Sequence, residues 1–259
     1  MRRQDVIRGG AGTSVAALAS EQLNRTVSSN AHNTKRWTMG RAFALLSLPA
    51  ANAEGKDAPV YLAAKRAIDV VGSLLAILVA TPVMLAAAIL IKTCDWGPVF
   101  YVHRRVGRGG QEFTCLKFRS MHVNADAALQ ELMSQNQHSD HRTFKMQDDP
   151  RITWIGKWLR KTSLDELPQL FNVLSGQMSL VGPRPPVPSE VSKYSERDLR
   201  RLAVKPGLTC IWQVSGRSRI PFPQQLEMDI EYIESRSLWL DLKLLARTVP
   251  AVLTADGAY

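Results

Sequence analysis

The longest apolar stretch of the chain runs from residue 70 to residue 91, where 22 consecutive residues carry no charge and nearly all are apolar. At about 1.5 Å per residue, a helix of this length would measure roughly 33 Å, enough to cross the hydrocarbon core of a bilayer. Buried helices of soluble domains rarely run this long without a charge. With its flanking turns, the stretch predicts a membrane helix over residues 59–95.

Two features of this stretch favour a re-entrant helix over a straight span. A spanning helix has its excess of cations on the cytoplasmic side, whereas this stretch has cations at both ends. In addition, Thr81 and Pro82 fall near its middle, where a proline removes a backbone donor and kinks a helix. A helix broken there would enter one leaflet and return, which leaves both flanks in the cytoplasm. The flanking cations are Lys65 and Arg66 on one side, and Lys92, Arg104, Arg105 and Arg108 on the other.

After residue 96 the hydrophobic patterns are shorter. Residues 97–102 and 111–118 predict two short strands, joined by a basic, glycine-rich loop over residues 103–110. Most of the other patterned segments predict helices. We therefore expect an α+β, mainly helical fold, in which a compact domain over residues 96–259 carries a small β-hairpin.

Two of these helices have the composition of amphipathic helices that lie in a membrane interface. Trp154 and Trp158 are four residues apart and share a helical face, with cationic residues at its edges. Residues 238–249 combine a tryptophan at one end with Lys243 and Arg247 on a polar side. The alternatives are core packing for the two tryptophans of the first helix, and docking on the core for the second helix.

Residues 1–58 mix Ser, Ala, Asn, Thr and Arg without a sustained period, which predicts a disordered basic tail. Within this tail, residues 35–53 resemble a signal peptide with an Ala-x-Ala cleavage site. The apolar part of that segment is short and begins far from the first residue. We therefore do not predict export.

The charge of the chain indicates a polyanionic partner. The formal net charge is +10 and the pI about 9.8, which favour nucleic acid, anionic lipid or a phosphorylated substrate. The basic residues lack the aromatic platforms of single-strand binding, so nucleic acid is not predicted. Three scattered cysteines predict neither a disulfide framework nor a zinc site. His138, Asp140 and His141 form a group without a recognisable ligand spacing, and no metal is predicted there.

Adjacent carboxylates at Asp165 and Glu166 follow a basic segment and precede an apolar run. Ser163 and Glu166 have the spacing of a capping box, with serine at the N-cap and glutamate at N3. Pro168 would then stand at N5, where a backbone donor is needed, so an N-cap at Asp165 fits better. Either frame places both carboxylates at a helix N-terminus, which favours the ionised form. Such a pair suits helix capping, and it also suits a site for phosphate and a hard metal ion.

A series of short motifs follows one another from about residue 60 to the C-terminus. Together they resemble the bacterial sugar transferase family, the monotopic polyprenyl-phosphate phosphoglycosyl transferases, and within it the short enzymes that start exopolysaccharide repeat units. The motifs are Lys65-Arg66 with Asp69; Gly97-Pro-Val-Phe100; Arg105 with Gly107; Lys117-Phe-Arg-Ser-Met121; Asp149-Pro-Arg-Ile-Thr153; Ser163-Leu-Asp-Glu166 within residues 159–170; Gly182-Pro-Arg-Pro185 within residues 178–185; and residues 206–217, which end in Ser-Gly-Arg217.

The resemblance implies a catalytic pair, which falls on Asp165 and Glu166. Asp165 would attack the β-phosphate of a UDP-sugar, expel UMP and hold a covalent phospho-sugar, which undecaprenyl phosphate would then accept. Glu166 would help to bind Mg²⁺. The candidate phosphate-binding residues are Arg160, Arg184 and Arg217, together with Lys117 and Arg119 of the fourth motif.

The resemblance further implies transfer of galactose-1-phosphate, with glucose-1-phosphate next, at the cytoplasmic face of the bacterial inner membrane. Inner-membrane lipid and downstream glycosyltransferases are candidate partners. The family's membrane helix is re-entrant, in agreement with the charge argument, although Thr81 stands where many members have serine. Gln177 replaces a frequent Asp, and Cys210 a frequent Gly. The alternative function is a non-catalytic membrane-surface protein that binds anionic lipid or a partner.

Overall fold

The computed structural model describes residues 59–123, 125–132, 146 and 148–254 of the chain. These residues are mainly helical, as predicted. The helices are α1 (Pro59–Asp95), α2 (Ala125–Leu132), α3 (Trp154–Lys161), α4 (Gln169–Leu174), α5 (Pro188–Val191), α6 (Glu196–Leu199), α7 (Phe222–Ser235) and α8 (Leu238–Thr254). The strands are β1 (Phe100–Val106), β2 (Glu112–Phe118), β3 (Ser179–Val181) and β4 (Gly207–Thr209). The predicted tail, its signal-like segment and the group at residues 138–141 lie outside the described residues.

Helix α1 contains the whole predicted apolar stretch. It is 37 residues long with Pro82 inside it, and no other helix in the described part of the chain is long and apolar enough to cross a membrane. Thr81 Oγ1 donates to the carbonyl of Ile77 at 2.6 Å, a side-chain bond that often accompanies a bend. Leu78 and Val79 beside this bond are 72% and 78% exposed. The middle of α1 therefore presents a large apolar surface that requires apolar surroundings.

Both ends of α1 contact the same folded domain. Near its start, Lys65 Nζ donates to Asp241 of α8 at 2.6 Å. One turn later, the carboxylate of Asp69 accepts from the backbone N–H of Leu180 in β3 at 2.9 Å. Near its end, Ile91 is buried in an apolar cluster with side chains of α3 and β2. The charged residues at the start of the helix are thus bonded to the domain, while its exposed apolar surface lies between the two contacts.

The predicted hairpin is confirmed, but its loop is shorter than predicted. Strands β1 and β2 pair antiparallel from Phe100 opposite Phe118 to Val106 opposite Glu112. The tip contains Gly109 and Gly110, whose φ angles of 67° and 78° favour glycine. Residues 103–106, predicted as loop, extend β1 because the ladder continues through them. This extension makes alternate side chains of the basic segment face inward.

A second sheet was not predicted. Strands β3 and β4 pair parallel, with Ser179 opposite Gly207 and Val181 opposite Thr209. Gly182 and Gly207 approach so closely that a Cβ on Gly207 would lie 2.0 Å from the backbone nitrogen of Gly182. This close packing fixes the segment that follows β3, which carries Arg184.

Two apolar clusters hold the elements around the hairpin. The first joins α4, β3 and β2 to α7 and α8, and the second joins the end of α1 to β2 and α3. The buried members of the first are Cys115, Leu170, Val173, Met178, Leu180, Val181, Tyr232 and Leu244, and those of the second are Ala87, Ile91, Phe118, Ile155 and Leu159. Strand β2 contributes to both clusters, so its polar side chains are held rigidly between them.

Both candidate interfacial helices expose tryptophan. Trp154 and Trp158 of α3 are 65% and 47% exposed, so core packing of these residues is wrong. Thr153 caps α3, because its side chain accepts from the backbone N–H of Gly156 at 2.9 Å. Helix α8 docks on the core through Leu244 and exposes Trp239. The exposed tryptophans match the amphipathic composition that predicted these helices.

Candidate active site

Asp165 and Glu166 lie in a 3₁₀ turn between α3 and α4, and neither begins an α-helix. Ser163 before the turn has a φ of +57° and makes no side-chain capping bond. Helix α4 begins after Pro168, so both predicted capping frames are wrong. The physical reason is that the turn closes on itself, with the N–H of Glu166 bonded to the carbonyl of Ser163 at 3.2 Å. Asp165 faces the interior and is only 8% exposed.

Lys117 of β2 lies between the two carboxylates. Its Nζ donates to Glu166 Oε1 at 2.5 Å and lies 3.8 Å from Asp165 Oδ2. Lys117 shares a face of β2 with the buried Cys115, because side chains alternate along a strand. The residue predicted to bind phosphate is therefore also a direct counter-ion of the carboxylate pair.

The two carboxylates have opposite pKa shifts. Burial raises the pKa of Asp165 to about 6, although Lys117 and Arg160 act in the opposite direction. Burial also acts to raise the pKa of Glu166, but Lys117 and Arg184 hold that pKa below its ordinary value. Both groups are thus mostly ionised at neutral pH, as predicted for Asp165. The cause is the set of neighbouring cations, and not a helix N-terminus.

The predicted catalytic and phosphate-binding residues all line one cleft, whose volume is about 760 Å³. Six of the lining side chains are arginine or lysine and two are acidic, so the cleft carries an excess of positive charge. Such a balance in a partly desolvated cleft favours an anionic ligand. The acidic residues are Asp165 and Glu166, and the cations are Arg105, Lys117, Arg119, Arg160, Arg184 and Arg217.

Arg160 and Arg119 are held in the cleft by neighbouring polar groups. Arg160 Nε donates to Ser120 Oγ at 2.9 Å. Arg119 forms an ion pair with Asp95, the last residue of α1. A Cβ on Gly97 would lie 2.1 Å from the Arg119 guanidinium, so a larger residue there would displace this side chain. The end of α1 therefore fixes one cation of the cleft.

Arg184 and Arg217 reach the cleft from segments with restricted backbones. Arg184 lies between Pro183 and Pro185, and its carbonyl accepts from Arg201 at 3.1 Å. Arg217 has a φ of +53°, which is rare for a residue other than glycine and costs on the order of 1–3 kcal/mol. Strained backbone of this kind is often found where a side chain must reach a ligand.

Three of the cleft arginines have a guanidinium nitrogen that is buried and has no hydrogen-bond partner within the described residues. They are Arg105 at Nε, and Arg119 and Arg217 at Nη1. Buried donors are normally satisfied, and phosphate oxygens are ligands that match the planar fork of arginine. The cleft therefore offers several unused donors to an anion.

Arg105 is the cationic residue of the cleft that the sequence did not assign to phosphate binding. It belonged to a quoted motif with Gly107, and it was predicted to lie in the hairpin loop. In the structure it lies in β1 and is only 7% exposed. The signal that would have found it is the alternation of the strand, which turns Arg105 inward and leaves Arg104 exposed.

The predicted Mg²⁺ is compatible with the donors at the carboxylate pair. Within the described ranges, no group of three or more His, Cys, Asp or Glu could hold a metal by itself. Mg²⁺ is usually bound by one or two carboxylates together with substrate phosphates and waters. Glu166 and Asp165 supply two such carboxylates. Gln177 bonds to Asn172 at 2.7 Å and does not line the cleft.

Comparison with known proteins agrees with the motifs. The sequence profile described as bacterial sugar transferase matches residues 60–255. The exopolysaccharide production protein ExoY of Sinorhizobium fredii is 43% identical over 208 residues, which cover 79% of this chain and 92% of that protein. The undecaprenyl-phosphate galactose phosphotransferase of Salmonella typhimurium is 45% identical over 75% of this chain.

A third relative extends the comparison to another sugar. The UDP-glucose:undecaprenyl-phosphate glucose-1-phosphate transferase of Xanthomonas campestris is 40% identical over 210 residues, or 77% of this chain. The chain spans about two-fifths of the length of the Salmonella and Xanthomonas proteins, at 41% and 40%. The resemblance predicted from the motifs is confirmed.

Proposed function

The chain belongs to the bacterial sugar transferase family, and we propose that it transfers a sugar-1-phosphate from a UDP-sugar to undecaprenyl phosphate and releases UMP. This would be the first step of exopolysaccharide repeat-unit assembly. Relatives named for galactose and for glucose transfer support this substrate class. We propose galactose-1-phosphate as the preferred group, because the Salmonella relative is 45% identical and the Xanthomonas relative 40%.

The observation that carries the proposal is the buried carboxylate pair in a cleft lined by six cationic side chains. A UDP-sugar and undecaprenyl phosphate both carry phosphate groups, which such a cleft attracts. The pKa of Asp165, raised to about 6, leaves this carboxylate mostly ionised at neutral pH and therefore nucleophilic. A protein that only binds lipid headgroups has no use for a costly buried carboxylate pair.

In the first step, an oxygen of Asp165 attacks the β-phosphorus and a carboxylate O–P bond forms. The bond from the β-phosphorus to the oxygen that bridges the two phosphates breaks, and its electron pair leaves with UMP. Arg160 interacts electrostatically with Asp165, so it is placed to bind the phosphate that is attacked. No proton needs to be added or removed, because the nucleophile is already ionised and UMP leaves as an anion.

In the second step, an oxygen of undecaprenyl phosphate attacks the same phosphorus. A new P–O–P linkage forms, the O–P bond to Asp165 breaks, and the carboxylate is regenerated. Lys117 and the cleft arginines remain cationic throughout and counter the negative charge of the two substrates. Bound Mg²⁺, held by Glu166 with Asp165, would supply further charge neutralisation at the diphosphate.

We further propose that α1 is re-entrant and that the cleft opens at the cytoplasmic face of the inner membrane. The contacts of Lys65 and Ile91 support this topology, because they attach both ends of α1 to one domain. The predicted break at Thr81 and Pro82 is not present, since the helix is continuous from Pro59 to Asp95, and we propose a bend at these residues instead. Labelling of single cysteines placed before and after α1 in intact cells should show both on the cytoplasmic side, and opposite sides would contradict the proposal.

The covalent step is tested with the purified full chain in detergent, without undecaprenyl phosphate. We expect wild type to exchange radiolabelled UMP into UDP-galactose, because a covalent intermediate releases UMP before the acceptor binds. Asp165→Asn should reduce this exchange by a factor of about 10³ or more. Asp148→Asn is the matched control, since the side chain of Asp148 is 90% exposed and lies outside the cleft, and it should exchange like wild type.

Three outcomes separate the competing functions. UMP that appears only when undecaprenyl phosphate is present would indicate direct transfer and reject the Asp165 intermediate. No UMP under any condition would favour the non-catalytic membrane-surface protein. Faster transfer from UDP-glucose than from UDP-galactose would reject the proposed sugar preference and leave the reaction class intact.

A further inference from the structure

We infer that Arg105 is a further phosphate-binding residue, which together with Arg184 holds the phosphate that remains on UMP. This inference rests on the proposed function. It assigns the two phosphates of the UDP-sugar to two sides of the carboxylate pair. Arg160 serves the phosphate that Asp165 attacks, and Arg105 and Arg184 serve the phosphate of the leaving nucleotide.

The position of Arg105 is fixed by two hydrogen bonds to the segment that carries Arg184. Arg105 Nη1 donates to the carbonyl of Pro185 at 2.9 Å, and the backbone N–H of Val106 donates to the carbonyl of Pro186 at 2.9 Å. Strand β1 and the proline-rich segment are therefore attached to each other at two points. The arrangement brings the side chains of Arg105 and Arg184 to the same end of the cleft.

This end of the cleft is adjacent to Glu166. Arg105, Lys117, Glu166 and Arg184 line the cleft here, and they also line a recess of only about 10 Å³ behind it. Three cations thus surround one carboxylate, and Lys117 is already bonded to that carboxylate at 2.5 Å. Glu190 is a second buried carboxylate whose charge acts on Arg105. The three cations at this end still outnumber the two carboxylates, and an anionic ligand balances the excess.

Arg105 also has a buried hydrogen-bond donor without a partner among the described residues. Its side chain is only 7% exposed, and its Nε has no hydrogen-bond partner among the described residues. Burial, followed by the nearby charge of Arg184, lowers the pKa of Arg105 to about 10, so it remains cationic at neutral pH. A buried guanidinium with an unused nitrogen beside a second cation is costly unless a ligand is bound.

The two sides of the pair are distinguished by their electrostatic partners. Asp165 interacts with Arg160, whereas Glu166 interacts with Arg184 and Arg105. Because the nucleophile must lie against the transferred phosphate, the guanidinium pair at Glu166 is left for the adjacent phosphate. That phosphate gains charge as UMP departs, and two guanidinium groups would stabilise it there.

A purely structural role for Arg105, the fastening of Pro185, predicts a different result. That role needs only the hydrogen bond from Nη1 to the Pro185 carbonyl, and the loss of this bond would weaken the binding of any ligand in the cleft. A role in phosphate binding would instead lower the affinity for UMP and leave the affinity for uridine, which has no phosphate, unchanged. The difference between these two ligands is therefore the decisive measurement.

The experiment uses the full chain in detergent and measures UMP and uridine as inhibitors of sugar-phosphate transfer from UDP-galactose. Arg105→Gln should weaken UMP about tenfold or more and change uridine less than twofold. Arg104→Gln is the matched control. Arg104 is the residue before Arg105, and its side chain is 82% exposed on the opposite face of β1. The control should bind both ligands like wild type.

Equal weakening of UMP and uridine, or unchanged UMP affinity, would overturn the inference. Should Arg105→Gln fail to fold, Arg105→Lys keeps the charge and loses the planar fork, and a selective weakening of UMP of several-fold is then expected. Equal effects on the two ligands in Arg105→Lys would likewise overturn it. Failure of the proposed function is distinguishable, because wild type itself would then release no UMP.

Discussion

Two groups of buried charged residues differ in charge balance: the residues of the cleft, and a group of Arg201, Asp229 and Tyr194 that we call the closed group. In the closed group, Arg201 donates to Asp229 at 2.5 Å and to the Tyr194 hydroxyl at 2.6 Å. One cation faces one carboxylate, and both are almost fully buried. In the cleft, six cations face two carboxylates.

The difference separates charges that serve the fold from charges that serve a ligand. The charges of the closed group are matched, one cation to one carboxylate, although Arg201 Nε and Asp229 Oδ1 have no hydrogen-bond partner within the described residues. Through the carbonyl of Arg184, this group also fixes the segment that enters the cleft. The cleft is left with surplus charge that only an anion can balance. A buried ion pair of matched charge is therefore expected to influence stability, and an unmatched group to influence binding and catalysis.

The largest effect on stability is expected from breaking the closed pair. Arg201→Met leaves the carboxylate of Asp229 buried without its cation, which should lower the free energy of unfolding by about 3–5 kcal/mol. The measurement is thermal unfolding in detergent. Arg197→Met removes an equally short ion pair, at 2.6 Å from Glu227, but one that is exposed on both sides. It should cost less than about 1 kcal/mol. Equal losses in the two variants would contradict the comparison.

In the cleft, removal of a buried charge is expected to raise the free energy of unfolding instead of lowering it. The pKa of Asp165 is raised to about 6 in the folded chain, so at neutral pH folding must keep a carboxylate charged where burial disfavours it. Asp165→Asn removes that cost and should raise the free energy of unfolding by an amount on the order of 1–3 kcal/mol, while activity is lost.

The stabilisation by Asp165→Asn should depend on pH, and this dependence tests whether the raised pKa of Asp165 causes it. A group whose pKa is raised on folding lowers stability as the pH rises from about 4 to about 6, because the unfolded chain loses its proton first. The difference between Asp165→Asn and wild type should therefore be largest above pH 6 and vanish near pH 4. Asp148→Asn, at an exposed position, should show no such difference. A variant less stable than wild type at pH 7 would reject this account.

The sequence predicted the parts of the molecule that depend on local pattern. The apolar stretch of α1 and the alternation of β2 are visible in the chain itself, and the motifs led to every predicted site residue in the cleft. The caps at Ser163 and Asp165 were wrong because a 3₁₀ turn, and not the first turn of α4, holds Asp165 and Glu166. The inward position of Arg105 depends on how far the hairpin ladder extends, which pairing across the strands decides.

The smallest of these effects, and the one specific to the cleft, concerns Lys117. This residue lowers the pKa of Asp165 from a distance of 3.8 Å, so its removal should raise that pKa further. In wild type, kcat/KM should fall tenfold for each pH unit below about 6, because the nucleophile must be ionised. In Lys117→Met this acid limb should move upward by about one pH unit or more, since an opposite charge at this distance shifts a pKa by about 1–3 units.

Measured at pH 7, a shift of one unit corresponds to a loss of activity of about twofold and a shift of two units to about tenfold, and the loss should be recovered in part at higher pH. If Lys117 acted on substrate phosphate alone, the variant would lose activity equally at all pH values, and the acid limb would stay in place. Lys157→Met is the matched control, because Lys157 is 61% exposed and pairs only loosely with Asp148 at 3.8 Å. Its pH profile should coincide with that of wild type, so that a displaced limb in Lys117→Met is assigned to the carboxylate pair.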